Sequence, residues 1–340
     1  MLQNLWNDAD AAGYMSRYDN PDVALRVYSS HLIGQEPHLV LHGGGNTSVK
    51  TTEIDLFGTE TAVLRVKGSG WDLASIEPSG FPALRLEPLR KLEQLEQLSD
   101  QAMVNYLRGC LMDPAAPMPS VETLLHAVLP HKYVDHSHAL AVLAVVDQED
   151  GENLARQVFG DRVGYVSYIM PGFSLAKAAA REYRRNRQVE GLVLMKHGLF
   201  TFGESAKQSY TRTIDLNNLA ARFMQNTRRS PVFISRSWSK REIAPTTDIA
   251  PVLRGCLANA WPASSPVRWI LDFRHSDQIL EFVNGQQVAD YASRGTVTPD
   301  HLIRTKGIPL ILPFPENNDL GEFRRQTAGA IVDYIERYRS

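Results

Sequence analysis

The sequence lacks the long apolar run that a membrane-spanning helix requires. No uninterrupted apolar stretch approaches the ~18–20 residues of a bilayer span. The N-terminus has no basic start followed by an apolar stretch, which a secretory signal would show. We therefore expect a soluble, unprocessed, cytoplasmic protein with no membrane partner.

Cysteine and blocks of positive charge are also scarce. Cys110 and Cys256 are the only cysteines, and they lie in apolar stretches without metal-ligand spacing. We expect two separate buried thiols, which suits a reducing compartment. The net charge is -2, and no basic block could follow a phosphate backbone. The composition therefore disfavours nucleic acid as a partner.

The order of the predicted elements indicates a layered α/β domain. Apolar spacing predicts helices over residues 7–33 and strands at 38–42 and 62–67, and helical and strand patterns then alternate to about residue 230. Beyond a stretch rich in Ser, Pro and Thr, two short strands are predicted at 268–273 and 308–313, before a helix over 323–339. We therefore predict one domain over 1–230 and a smaller C-terminal α/β domain, of unknown role, over 231–340.

Three histidines form the candidate metal site. His136 and His138 precede the apolar run 139–146, which predicts a strand, and alternate strand residues point to one face. His197 follows a similar run at 191–196. If the two strands lie side by side, the three imidazoles leave an open fourth position, as a catalytic Zn²⁺ needs. Each histidine alone could equally be a hydrogen-bonded structural group. Asp135 is expected to orient one of the rings.

Glu122 is the candidate proton-transfer group. Ser120 is a suitable N-cap for a helix that begins near Val121, and this helix would place Glu122 and His126 on one face. One interpretation makes Glu122 a first-turn residue that the helix dipole favours. The other makes it a base beside a metal that stabilises an enolate oxygen. The sequence leaves both interpretations open.

Two glycine-containing turns, at residues 43–48 and 68–70, could bind a phosphate or a polar sugar. They offer backbone N–H groups, hydroxyls and an amide, although isolated turns of this kind are often structural. Neither turn has the Walker or the dinucleotide-binding spacing. The chain also lacks the Gly-x-Ser-x-Gly elbow of an esterase.

Taken together, these motifs resemble the class II aldolase/adducin family. The resemblance rests on five short segments within residues 20–225, namely Gly45-Asn-Thr-Ser48, Lys67-Gly-Ser-Gly70, Pro119-Ser-Val-Glu122 with His126, His136-Ser-His138 and Lys196-His-Gly-Leu199. The chain is most similar to the aldolase portion of bifunctional rhamnulose-1-phosphate aldolase/alcohol dehydrogenase proteins. Residues 294–301 and 304–306 also resemble the segment that follows that portion. The family resemblance implies an α/β/α fold with a central, mainly antiparallel sheet.

The same resemblance implies roles for individual residues. Glu122 would be the acid/base group, and Tyr168 would reach the site from a neighbouring subunit. The metal ligands for Zn²⁺ would be His136, His138 and His197. The residues that hold the phosphate and nearby hydroxyls would be Asn46, Thr47, Ser69, Gly70 and Ser120. Family members that bind a sugar phosphate often have two serines before the glutamate, whereas this chain has Ser120-Val121.

The function implied is that of a Zn²⁺-dependent aldolase. It would cleave a ketose 1-phosphate, such as one of the rhamnulose or fuculose type, to dihydroxyacetone phosphate and a small aldehyde through a metal-stabilised enediolate. A pentulose-phosphate 4-epimerase and a non-catalytic, adducin-like interaction protein are the alternatives. The expected partners are a small sugar phosphate and further copies of the chain in a cyclic homo-oligomer, with a tetramer expected.

Overall fold

The computed structural model describes residues 1–54, 57–227, 242–261 and 267–339. The chain divides into two compact units. The large unit comprises Met1–Arg228 and Val297–Thr305, and the small unit comprises Arg229–Thr296 and Lys306–Ser340. A short C-terminal segment therefore belongs to the large unit. None of the helices in the described ranges combines the length and the apolar character that a bilayer span requires.

A seven-stranded sheet organises the large unit. Its order is β3-β2-β1-β4-β7-β6-β5. Every neighbouring pair is antiparallel except β5 and β6, which are parallel. The strands are β1 (Asn46–Ile54), β2 (Glu60–Val66), β3 (Ala83–Arg85), β4 (Tyr133–Ser137), β5 (Val163–Val166), β6 (Gly191–Leu194) and β7 (Gly198–Gly203). The α/β fold with a mainly antiparallel sheet is thus confirmed.

Helices supply the rest of the regular structure. They are α1 (Asp8–Met15), α2 (Pro21–Gly34), α3 (Leu86–Lys91), α4 (Asp100–Cys110), α5 (Thr123–Val128), α6 (Leu140–Val146), α7 (Gly151–Phe159), α8 (Phe173–Arg185), α9 (Ala206–Thr227), α10 (Thr246–Asn259), α11 (Asp277–Val283), α12 (Val288–Ala292), α13 (Pro299–Arg304) and α14 (Leu320–Arg339). Short 3₁₀ turns lie at Pro78–Gly80, Leu92–Gln94 and Gly160–Arg162. Of the last five helices, α13 belongs to the large unit.

The sheet separates two apolar cores, as a layered fold requires. Successive strand residues alternate between them: on β4, Tyr133 joins one core and Val134 the other, and on β7, Leu199 and Phe200 divide in the same way. Both faces of the sheet are therefore covered by helices, and its central strands are buried on both sides. Polar side chains that lie on these strands must find partners inside the protein.

Two predicted strands of the large unit are wrong. Residues 38–42 form turns and irregular backbone, and the segment ends at His42 with φ +52°, a value that no extended strand adopts. The run 139–146 is helix α6, and the strand β4 lies before it and ends at Ser137. A short apolar run fits a buried helix as well as a buried strand, so its composition did not distinguish them.

Other boundaries also differ from the prediction. Helix α5 begins at Thr123 rather than near Val121, and the Ser120 hydroxyl accepts a hydrogen bond from the Glu122 N–H at 3.3 Å. In the described part of the small unit, the strands expected at 268–273 and 308–313 are absent. In the first segment Ile270 is 94% exposed. The predicted C-terminal helix is confirmed as α14.

Candidate functional site

The three predicted histidines lie together at one end of the central strands. His136 is paired between Asn46 of β1 and Phe200 of β7, and His138 follows the end of β4. His197 lies in the tight turn between β6 and β7. A side chain at Gly198 would meet the Ser137 carbonyl oxygen at 2.4 Å, so glycine permits this close approach. All three histidines are buried, and they offer ligand atoms within 4.8 Å of one another.

Hydrogen bonds fix the tautomers of two of these rings. His136 Nδ1 lies 3.2 Å from the Leu199 carbonyl oxygen, and His138 Nδ1 is bonded to Asp300 Oδ1. Both oxygens can only accept, so each Nδ1 carries a proton, and the Nε2 of a neutral ring then carries a lone pair. Burial also holds the pKa of His136 well below its ordinary value, which keeps the ring neutral.

The two Nε2 atoms face each other. His136 Nε2 and His138 Nε2 are 3.0 Å apart, a distance at which a proton or a metal ion between them can be held by both nitrogens. Two nitrogens bound tetrahedrally to one zinc ion would be about 3.3 Å apart. The donor set therefore fits a divalent cation of the kind that imidazole nitrogens bind.

Glu122 lies against this cluster. Its Oε2 is 3.3 Å from His136 Nε2, and its Oε1 is 3.3 Å from His197 Nε2. The carboxylate is buried and accepts a 2.7 Å hydrogen bond from Asn46 Nδ2. Among the described residues, Oε1 has no hydrogen-bond donor. Glu122 is thus oriented through one oxygen, while the other is available to hold a cation or exchange a proton.

A buried chain of hydrogen bonds lies behind Glu122. His126 Nε2 is 2.5 Å from Asn46 Oδ1, and His126 Nδ1 is 2.8 Å from Ser48 Oγ. Burial, with Lys50 and Arg26 nearby, holds the pKa of His126 well below its ordinary value. The neutral ring donates from Nε2 to the amide oxygen of Asn46, which leaves the amide nitrogen to donate to Glu122. This chain of hydrogen bonds therefore sets the orientation of the carboxylate.

The prediction that Asp135 orients a histidine is wrong. Its carboxylate lies 2.5 Å from Arg26 Nη2, and both side chains are buried. Asp135 precedes His136 on β4, so strand alternation turns it to the opposite face of the sheet. The carboxylate that bonds Nδ1 of a histidine in this cluster is that of Asp300, which pairs with His138. The only sequence signal for Asp300 is its place in the C-terminal segment that shares the family resemblance.

The predicted phosphate-binding residues fall into two groups. The backbone N–H of Ser69 donates to the Met118 carbonyl at 2.7 Å, which brings the turn of Ser69 and Gly70 beside Ser120. The amide of Asn46 is engaged by Glu122 and His126, as described above. Thr47 is fully buried, and its hydroxyl lies 2.8 Å from the Ser30 hydroxyl, on the other face of β1.

Lys67 and Tyr168 occupy very different surroundings. Lys67 is buried, its Nζ donates to the Gly43 carbonyl at 2.7 Å, and burial lowers its pKa to about 8. It belongs to a motif that the sequence analysis identified, but no role was predicted for it.

Tyr168 is 54% exposed beyond the end of β5, and its hydroxyl donates to Met170 Sδ at 3.0 Å. Its predicted role in a neighbouring subunit stays a prediction.

Comparison with known proteins gives two family matches. Residues 26–224 match the class II aldolase and adducin N-terminal domain, and residues 244–340 match the second domain of class II aldolases. The first match covers more than half of the chain.

Two individual proteins illustrate the similarity. An uncharacterized oxidoreductase of Bacillus subtilis, YuxG, is 34% identical over 348 aligned residues, which cover 100% of this chain and 49% of that protein. The chain thus spans about half the length of this relative. The structure of the N-terminal class II aldolase domain of a conserved protein from Thermoplasma acidophilum is 41% identical, with a TM-score of 0.60, and covers 66% of this chain and 100% of its own. The chain therefore belongs to the class II aldolase and adducin family.

Proposed function

We propose that the chain is a Zn²⁺-dependent aldolase that cleaves a ketose 1-phosphate, of the rhamnulose or fuculose type, to dihydroxyacetone phosphate and a small aldehyde. One observation carries the proposal: three buried histidines converge with a glutamate whose second oxygen has no hydrogen-bond donor among the described residues. An inert scaffold has no chemical need for this arrangement, which favours an enzyme over an adducin-like interaction protein.

The chain's own residues have distinct tasks in this proposal. A zinc ion held by His136, His138 and His197 would supply the positive charge that stabilises an enediolate. Glu122, in contact with the same cluster, exchanges the proton at C3 of the ketose. Asn46 holds Glu122 Oε2, so that Oε1 faces the substrate with a fixed geometry. Burial excludes bulk water from these atoms and strengthens their electrostatic effects.

The phosphate is assigned to the turn beside the cluster. Ser69, Gly70 and Ser120 share one edge, where the two serine hydroxyls can donate to phosphate oxygens, whereas the backbone N–H groups of Ser69 and Ser120 are already bonded to the carbonyls of Met118 and Lys67. Lys67 supplies a nearby positive charge when it is protonated. The side chain of Thr47 is engaged elsewhere, so a contact of this residue with the phosphate would have to use its backbone.

Metal analysis and a cleavage screen test the proposal together. We expect about one zinc ion per chain, lost when His136, His138 and His197 are all replaced by alanine. His38→Ala is the control, because His38 pairs with Glu36 at the surface. The purified protein should release dihydroxyacetone phosphate from one or more ketose 1-phosphates.

Three outcomes would contradict the proposal. A protein that stays free of metal after growth in zinc, or that keeps its metal in the triple variant, would exclude the site. A metal-loaded protein that interconverts pentulose phosphates but releases no aldehyde would be a 4-epimerase. A loaded protein that is inactive on both substrate classes would favour a binding role.

A further inference from the structure

The segment Val297–Thr305 belongs to the large unit, although the chain between it and α9 belongs largely to the small unit. Asp300, near the start of α13, is 1% exposed. Its backbone N–H donates to the hydroxyl of Thr298 at 3.0 Å, and Thr298 is buried as well. A buried carboxylate is costly unless its oxygens are paired, so its partners indicate its role.

Both oxygens of Asp300 have partners in the candidate site. Oδ1 accepts the Nδ1 proton of His138, and Oδ2 accepts a 2.7 Å hydrogen bond from the backbone N–H of Leu41. His138 and Leu41 come from different segments, one at the end of β4 and the other before β1. A single carboxylate thus connects a candidate metal ligand with the loop that leads into β1.

The loop at residues 41–45 has the space that this contact requires. A side chain at Gly44 would place its Cβ only 1.6 Å from Asp300 Oδ1, so a glycine is required for the carboxylate to approach. Arg304 Nε donates to the His42 carbonyl at 3.2 Å, and Lys67 Nζ donates to the Gly43 carbonyl at 2.7 Å. The loop is therefore held on one side by the C-terminal segment and on the other by Lys67, which follows β2.

We propose that Asp300 is a positioning residue of the metal centre, which holds His138 in the tautomer whose Nε2 lone pair faces the cation. Carboxylates that accept the second N–H of a ligating histidine fix the ring and raise its basicity. The inference rests on the proposed metal site and extends it beyond the N-terminal family region, because Asp300 lies outside residues 26–224. The metal centre of this chain then depends on a residue from the C-terminal part of the sequence.

Zinc binding by the full-length chain tests this role. The dissociation constant for Zn²⁺ alone is measured by competition with a chromophoric chelator in the wild type, in Asp300→Ala and in Arg304→Ala. Asp300→Ala should weaken zinc binding by about 10- to 100-fold. Arg304→Ala removes a neighbouring contact of the same segment but leaves the pair with His138, so its affinity should equal that of the wild type.

The tautomer of His138 provides a second readout that a general loss of stability would not produce. In ¹⁵N spectra of the metal-free wild type, His138 should carry a proton on Nδ1. In Asp300→Ala the same ring should show a mixture of the two tautomers. A purely structural role for Asp300 would change the melting temperature without changing this signature in the folded protein.

The outcomes separate this inference from the proposed function. Failure of the wild type to bind zinc would overturn both. Tight binding by the wild type and equally tight binding by Asp300→Ala would overturn only the role of Asp300. If Asp300→Ala does not fold, the wild-type spectrum decides, because a His138 ring without a proton on Nδ1 would contradict the assignment.

Discussion

The side-chain amide of Asn46 donates a 2.7 Å hydrogen bond to Glu122 Oε2 inside a buried site. His126 fixes the other end of that amide, because its neutral ring donates to Asn46 Oδ1 at 2.5 Å. The carboxylate beside the histidine cluster is therefore held by a fixed chain of three side chains. This arrangement makes Asn46 a residue that orients Glu122, whereas the family resemblance implies a contact with phosphate.

Asn46→Ala distinguishes these two roles. If Asn46 orients Glu122, kcat should fall by roughly 10- to 100-fold with little change in KM, because a small misplacement of a reacting group is costly. Ser120→Ala, at the proposed phosphate edge, should instead raise KM. Steady-state kinetics on the best ketose 1-phosphate measure both constants. A rise in KM alone for Asn46→Ala would assign its amide to the substrate.

Glu122→Gln separates metal binding from proton transfer. Glutamine has a similar size but cannot accept a proton, so turnover should drop by about 10²-fold or more. The zinc content, measured by atomic absorption, should stay near that of the wild type. Glu204→Gln is the control, since Glu204 is exposed and contacts His131 at the surface. Unchanged turnover in Glu122→Gln would leave Glu122 with only its structural place at the start of α5.

The ion pair between Arg26 and Asp135 is buried, so the loss of one partner is expected to destabilise the fold. Arg26→Met should lower the free energy of unfolding by about 3–5 kcal/mol, because it leaves the Asp135 carboxylate buried and unpaired. The double variant Arg26→Met with Asp135→Leu removes both charges and should lose less. Urea unfolding measures each value. Equal losses in the single and double variants would contradict this account.

An exposed ion pair serves as the control for that experiment. Arg156 and Glu152 lie 2.8 Å apart on α7, and both side chains are more than half exposed. Arg156→Met should change the free energy of unfolding by no more than about 1 kcal/mol, because water and salt screen exposed pairs. If Arg156→Met loses as much unfolding free energy as Arg26→Met, burial does not explain the loss in Arg26→Met.

The sequence predicted the clustering of the histidines better than it predicted the residues that bond them. His136 and His138 are two residues apart on a strand, and that spacing alone places both rings on one face. The same alternation should have excluded Asp135 as their partner, since it places Asp135 on the opposite face of the strand. Asp300 could not be paired with His138 by any local pattern, because 162 positions separate them along the chain.

The errors in the fold have a similar physical origin. Residues 139–146 are apolar on all sides because α6 is largely buried, so no helical period appears in the pattern. Residues 38–42 contain the apolar pair Leu39 and Val40, which is buried in a turn. The positive φ of His42 that ends this turn is set by tertiary contacts, and propensity does not reveal it.

Lys50 predicts a pH dependence of stability. Its Nζ donates to the carbonyls of His126 and His131, and burial lowers its pKa from 10.5 to about 7. Between these two pH values the unfolded chain binds more protons at Lys50 than the folded chain does. The contribution of Lys50 to stability should therefore rise with pH through this window and fall as the pH drops toward 7.

Comparison with Lys50→Met isolates this contribution. The difference in unfolding free energy between the wild type and Lys50→Met should grow in favour of the wild type from pH 7 to 10, by at most about 1.4 kcal/mol per pH unit. Lys91→Met, at an exposed position, is the control. If unfolding free energy depends on pH in the same way for the wild type and Lys50→Met, Lys50 stays charged in the folded protein.

Tyr168 leads to a prediction about assembly. Its ring is 54% exposed, and its hydroxyl contacts only a methionine sulfur among the hydrogen bonds of the described residues. We propose that it reaches the histidine cluster of a neighbouring chain in a cyclic tetramer, where it protonates the leaving oxygen. Tyr168→Phe and His138→Ala should each be inactive as pure proteins.

Mixed oligomers test this shared site. When the two inactive variants exchange subunits, a Tyr168→Phe chain supplies an intact histidine cluster and a neighbouring His138→Ala chain supplies the tyrosine, so part of the activity should return. Hybrids of His138→Ala with Glu122→Gln are the matched control, because both defects lie in the cluster and no intact site can form. Mass spectrometry confirms the exchange. Full activity in a monomer, or no recovery in hybrids that have exchanged, would refute the shared site and leave the metal site unaffected.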